Sequence, residues 1–449
     1  MKKMHLVKLS LLITLVVLLL VYTLPWIIVN SQTRDYSGID FHGYWYAGHY
    51  LRAGVNPYAA ILNNDPFPIY WDPRIPGSGI PYRLGALGGF ERALKLPIHY
   101  LDGVVITDYP VARLLIVAPS ATAPLEWFVS LFSWFSWNVA RTLWLLLSLL
   151  FAALIPWLGY RLFPASIKIN ILDKLLTAFV FYNLYGLRQT LVVGQQSLIC
   201  LFTLLLALVL RDRWILAGIL LGFGISKYSV GLPVFLFFLF QKEYRIILTS
   251  LAVQVLAALF FLPLEQGSLI ETITAYLKVL DLNYSQTGVH LAAHIPSGNL
   301  SVFAATLVLV VLAVFSLRRA CLFVQNHPEY RSLFALNSLN LMVVTVFLGA
   351  YHRIHDMPFI IFFLLTLVAV HAYGLEFSKA EHHSINLLQV GLLILLVYPA
   401  VLMKITSMAG VPAEFAGLVF SEDVMSMISL LVIFGVSIWF QKKLIGKQL

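Results

Sequence analysis

Charge is scarce in this chain: of 449 residues only 11% are Asp, Glu, Lys or Arg, under half the share found in a soluble domain. That scarcity, with 60% hydrophobic residues, excludes a soluble globular protein and marks an integral, polytopic membrane protein. Cysteine is scarcer still. Cys200 and Cys321 are the two present, and the topology below puts them near opposite faces of the membrane, which argues against a disulfide. No Ala-x-Ala-like cleavage site follows the first apolar run, Leu6 to Val29, and that run exceeds the ~7–15 residues of a signal-peptide core. It is read as a retained anchor. Internal repeats, heptads and low-complexity tracts are also missing. The net charge of +9 is concentrated between apolar runs, at Lys2, Lys3, Lys8, Arg211, Arg213, Lys242, Arg245, Arg318, Arg319, Lys442 and Lys443. This is a topology signal, and no nucleic-acid partner is expected.

A hydrocarbon core of ~30 Å asks for ~20 apolar residues per helix. The runs place spans at about 6–29, 138–161, 171–190, 196–210, 214–226, 229–240, 246–264, 300–317, 332–350, 357–373, 384–402 and 424–440. The segment Trp214 to Phe240 is flanked by basic residues at both ends. If both ends are cytoplasmic it must go out and come back, turning near Ser226-Lys227-Tyr228-Ser229, a turn tolerated at depth only inside protein or beside a water-filled cavity. The expectation is therefore a single membrane domain over 1–449, all-α, with about twelve transmembrane helices and both termini cytoplasmic. Outer loops fall at 30–137, 265–299, 351–356 and 403–423. The largest is irregular in its proline-rich middle, DPFPIYWDPRIPGSGIPYR, and its last part, with Trp127, Trp134 and Trp137, suits helices lying at the membrane interface.

Polar residues among such runs are the candidates for chemistry. Asp40 follows the first span; a helix N-cap and a catalytic base are both open to it on spacing alone. Lys227 lies inside a long apolar stretch, where a cation faces a partner, a polar cavity or, by snorkelling, the surface. Tyr351-His352-Arg353-Ile354-His355-Asp356 packs two imidazoles, a guanidinium and a carboxylate between two spans. As a metal site it lacks a firm third ligand; phosphate binding or proton handling fits it better. Arg188, Gln189 and Gly194-Gln195-Gln196 are placed at an outer turn, open to a sugar or to plain solvation. Gly218 and Gly222 form a G-x-x-x-G pair, read as helix packing.

Four segments together resemble a family. D-F-H-G-Y-W-Y-A-G-H-Y-L-R-A-G-V-N-P-Y, Asp40 to Tyr58, is similar to the first outer loop of the GT87 (DUF2029) membrane glycosyltransferases, which include polyprenol-phosphomannose-dependent α-mannosyltransferases. VVGQQSLICLFTLLLALVLRDRWILAGILLGFGISK, ending at Lys227, looks like that family's G-Q-x-x block with its A-G-x-x-x-G and lysine. Gly298-Asn299-Leu300-Ser301 resembles its glycine-asparagine-x-serine motif, and Tyr109-Pro110 its entry into the second span. Three departures bear on the sugar and acceptor rather than on the reaction: no arginine soon after Ser301, Tyr228 in place of proline, and a distinctive YHRIHD loop.

The resemblance implies a GT-C-type bundle with outer-face loop helices in the plasma (inner) membrane. Its substrates would be a polyprenyl-phosphate sugar donor carrying mannose or another hexose or pentose and a lipid or glycan acceptor, among membrane lipids. In an inverting displacement Asp40 would be the general base. Lys227, Arg188, Arg353 and His355 would meet the donor phosphate, and Tyr44, Tyr58, Gln195, Gln196, Asn299, Ser301, His352 and Asp356 would bind substrate. No Asp-x-Asp pair accompanies Asp40, so turnover without metal or cofactor is expected. A transporter or lipid flippase, and an oligosaccharide ligase or polymerase, are the alternatives.

Overall fold

The computed structural model describes residues 2–33, 40, 41, 44, 45, 48, 98–101, 104–107, 123–259, 270, 274, 298–349, 354–373 and 422–446. The first apolar run is helical from α1, Lys2–Leu18, to α2, Leu24–Thr33, with a π-turn, Leu19–Thr23, between them. Pro25 explains the turn: its ring would clash with the carbonyl four residues back, and one wider turn relieves it.

Ala123–Ser130 (α3) and a 3₁₀ turn, Leu131–Trp134, precede Trp137–Tyr160 (α4). Then come Ile171–Asn183 (α5), Tyr185–Val193 (α6), Ser197–Val209 (α7), Trp214–Gly224 (α8), Tyr228–Phe240 (α9) and Tyr244–Leu259 (α10). After the long α11, Gly298–Asn326, follow α12, Arg331–Gly349, a 3₁₀ turn, Ile354–Ile360, α13, Ile361–Ala372, and α14, Glu422–Gly446.

The all-α expectation meets one exception among the described residues. Ile98–Leu101 pairs antiparallel with Val104–Thr107, Ile98 opposite Thr107. The β-branched run and the intervening Asp102-Gly103, a favoured two-residue hairpin sequence, account for it.

Six helices among the described residues are long and apolar enough to cross a membrane unaided, or seven counting α6 and α7, bent by 115°, as one broken span. The expected count of about twelve also included α8 and α9, which are shorter than a full crossing, the span 246–264, of which α10 is described as far as Leu259, and 384–402, which lies outside the described residues. The expected span 171–190 is in fact two helices, since Leu184 turns to an extended conformation (ψ 131°) between α5 and α6. The predicted reversal inside Trp214–Phe240 is present: α8 and α9 meet at a turn in which Ser226 and Lys227 are buried.

The bundle's centre is α7 and α12, whose sides are buried nearly all round. Leucines and valines of α10 and α11 face outward, as lipid-contacting surfaces do. Gly218 and Gly222 face α10 at Thr249 and Val253, so this G-x-x-x-G pair is helix packing. Cys200 is buried, Cys321 exposed, and neither is in a disulfide.

Candidate active site

Three helix breaks and one helical stretch converge. The first is the corner between α6 and α7. Gly194 ends α6 in the left-handed region (φ 74°), where a side chain is disfavoured, and the N–H groups of Gly194 and Gln195 both return to Thr190 O. The second is the buried turn carrying Lys227. The third is the 3₁₀ turn carrying His355 and Asp356. It lies against α6 where Gly186 leaves room, and Thr190 Oγ1 donates to His355 O at 2.6 Å. The fourth is the stretch after α2, where Asp40, Phe41, Tyr44, Trp45 and residue 48 are helical. Phe41 stacks on Trp144 at 4.7 Å, while Trp45 Nε1 donates to Phe132 O and Phe135 O. Trp144 Nε1 in turn donates to Gly194 O at 2.9 Å. One indole thus ties the Asp40 segment to the corner that carries Gln195.

Gln195 links all four. Its Nε2 donates to Asp40 Oδ2 and lies within hydrogen-bond reach of His355 Nε2, both at 3.1 Å. Its Oε1 accepts from Gln196 N at 3.0 Å and Lys227 Nζ at 3.3 Å. Lys227 Nζ also donates to Ser197 Oγ at 2.8 Å and Asp356 Oδ1 at 2.5 Å, and Ser197 Oγ donates to the same Asp356 oxygen. Gln195, Lys227, His355 and Asp356 are buried, whereas Asp40 is half-buried. Removing such charges from the membrane's apolar interior is tolerable because each has an opposite charge or a hydrogen bond. Snorkelling is therefore not how Lys227 is accommodated.

Of the residues singled out from the sequence, Asp40, Gln195, Lys227, His355 and Asp356 form this connected group. Ser197 and Thr190 belong to it and were missed. Arg188 and Gln189 are not on a solvated turn: both lie within α6, and Arg188 is buried with its guanidinium over the rings of Tyr22, Tyr185 and Trp26 at 5.0, 5.3 and 5.6 Å. The rings replace the water expected there. Tyr44 is buried. Gln196 is wholly buried, and its amide has no partner among the described residues. Asn299, expected at the end of an outer loop, and Ser301, expected at the start of a span, both fall in the first turn of α11. Tyr58, His352 and Arg353 lie outside the described residues. Among the described residues no three His, Cys, Asp or Glu side chains gather as a metal-binding group.

The model of glycosyltransferase family 87 matches the chain over residues 109–399, more than half of its length. The chain belongs to glycosyltransferase family 87. It is thus a membrane glycosyltransferase, and the transporter reading is set aside. The matched stretch carries Gln195, Lys227, His355 and Asp356, while Asp40 precedes it. No match is found among curated proteins or among solved structures.

Proposed function

We propose that this family 87 protein transfers a sugar from a polyprenyl-phosphate donor to a lipid or glycan acceptor, with inversion, at the outer face of the plasma membrane, and that Asp40 is the general base. The observation that carries the reading is the half-buried Asp40 carboxylate, held by Gln195 beside the buried His355 and Lys227.

The Asp40 carboxylate takes the proton of the acceptor hydroxyl as that oxygen attacks the anomeric carbon. The bond from that carbon to the phosphate oxygen breaks, and polyprenyl phosphate leaves with the electron pair. A phosphate is already a good leaving group, so the paired carboxylates of a glycosidase are not required. Asp356, the other carboxylate of the group, is engaged by Lys227 and Ser197 and is not offered as an acid.

Charge developing on the phosphate is offset by Lys227 and by Arg353 of the neighbouring YHRIHD loop. Lys227 acts here with a constraint: an ammonium has three donors, and Asp356, Ser197 and Gln195 occupy them. A direct bond from Lys227 to phosphate would displace one of these, so its contribution is made chiefly through space and through Gln195. Turnover without metal is expected, since no Asp-x-Asp pair accompanies Asp40.

The test is incubation of purified protein with a panel of polyprenyl-phosphate sugars and membrane lipid extract, followed by mass spectrometry. A product heavier by one sugar, unaffected by chelator and missing with Asp40→Asn, is expected. Transfer only from a lipid-diphosphate-linked glycan would replace this reading with the ligase one.

A further inference from the structure

Gln195 uses the full hydrogen-bonding capacity of its amide. Its nitrogen faces Asp40 Oδ2 and His355 Nε2; its oxygen faces the Lys227 ammonium and the Gln196 N–H. The orientation is determined by chemistry, not merely by fit. Rotating the amide by half a turn would set an oxygen against the Asp40 carboxylate and an NH₂ against the Lys227 ammonium, replacing attractions with repulsions. A sugar hydroxyl seeking Gln195 would have to displace one of these partners.

We propose that Gln195 is a positioning residue for the base, holding the Asp40 carboxylate through an amide whose direction is set by Lys227, rather than a residue that binds the sugar. This rests on Asp40 being the base. Three consequences follow from the geometry. Lys227 acts on Asp40 at second remove: its charge polarises the Gln195 amide and strengthens the N–H that the carboxylate accepts. His355, which accepts at Nε2, carries its ring proton on Nδ1 when neutral, and its own carbonyl is fixed by Thr190. Asp356 holds Lys227 in the direction that keeps the amide oriented. The buried ion pair, the amide and the base are one chain of contacts, and only its last member, Asp40, is half-exposed.

Two substitutions test the role, with kcat, KM for donor and acceptor, and the pH profile as readouts. Gln195→Glu is isosteric and keeps the acceptor for Lys227 and Gln196 N–H, but sets a carboxylate oxygen against Asp40. Like charges at that separation make Asp40 hold its proton to higher pH. The acid limb of kcat/KM should therefore move upward by about one pH unit or more, with activity partly returning as pH rises. Gln195→Met removes the amide; kcat should fall by ~10²-fold while both KM values stay within about twofold of wild type. Monodisperse elution and an unchanged melting temperature of Gln195→Glu keep the test valid if Gln195→Met folds poorly.

A raised KM with kcat and acid limb unchanged would make Gln195 a sugar ligand and overturn the proposal, as would wild-type kinetics in both variants. Asp40→Asn, run in parallel, separates the two claims. If it is inactive while the Gln195 variants behave as wild type, the positioning role alone fails. If it turns over like wild type, the base assignment fails and takes the positioning role with it.

Discussion

Lys227 Nζ and Asp356 Oδ1 lie 2.5 Å apart, with side chains only 8% and 4% exposed. A buried pair of this kind is weak evidence for net stability, but removing one member leaves an uncompensated charge at a cost of ~3–5 kcal/mol. Lys227→Met or Asp356→Leu alone should therefore lower the melting temperature sharply in detergent. The double variant should recover much of that loss, because the charges leave together. A double variant no more stable than the worse single one would show that charge balance is not what the pair supplies.

Asp40→Asn tests the base most directly. Asn keeps an acceptor oxygen toward Gln195, so the helical stretch pinned by Phe41 and Trp45 should hold. Transfer should fall by ~10²–10⁴-fold, the usual scale of general-base catalysis, with an unchanged melting curve. Residual turnover near the wild-type rate would remove Asp40 from the chemistry.

Much of this site was legible in the sequence. Asp40, Gln195, Lys227, His355 and Asp356 stand out because polar residues between apolar runs are costly in a membrane and need a reason. The basic flanks of Trp214–Phe240 revealed the buried turn at Lys227. Pairings were not legible. Asp356 lies 129 residues from Lys227, and local periodicity carries no information about which distant turn a cation meets. Ser197 and Thr190 read as ordinary helix residues, since either can bond to its own backbone as readily as to a partner. The break at Leu184 has no proline to announce it, and Gly186, two residues on, reads as one more small residue within the apolar run. Arg188 looked solvated because the rings that enclose it include two from α2 and the π-turn before it, far away in sequence.

Gly186 sets the distance between α6 and the turn that carries His355 and Asp356. A methyl group there would collide with Ile354 O and lie 2.7 Å from Met357 Cβ. Gly186→Ala should push that turn outward, at a cost of ~1–3 kcal/mol. His355 and Asp356 would then move away from Gln195 and Lys227. The expected outcome is a lower melting temperature together with a reduced kcat, measured on the same preparation. An alanine variant with full activity would mean that the turn can shift without carrying its two polar residues along.

Gln195 and Gln196 are neighbours with opposite circumstances, and substituting each by methionine should show it. Gln195 is bonded at both ends of its amide. Gln196 is wholly buried at the start of α7, yet neither its Nε2 nor its Oε1 has a partner among the described residues. An unbonded buried amide carries a desolvation penalty of ~1–3 kcal/mol, whereas an apolar side chain of similar shape carries none. Gln196→Met should therefore leave the melting temperature unchanged or raise it, and leave transfer intact. The backbone N–H that Gln196 donates to Gln195 Oε1 survives the substitution, so the orientation of the neighbouring amide is preserved. A large loss of activity in Gln196→Met, with normal stability, would instead assign this amide to a substrate, as the resemblance to the family's G-Q-x-x block first implied.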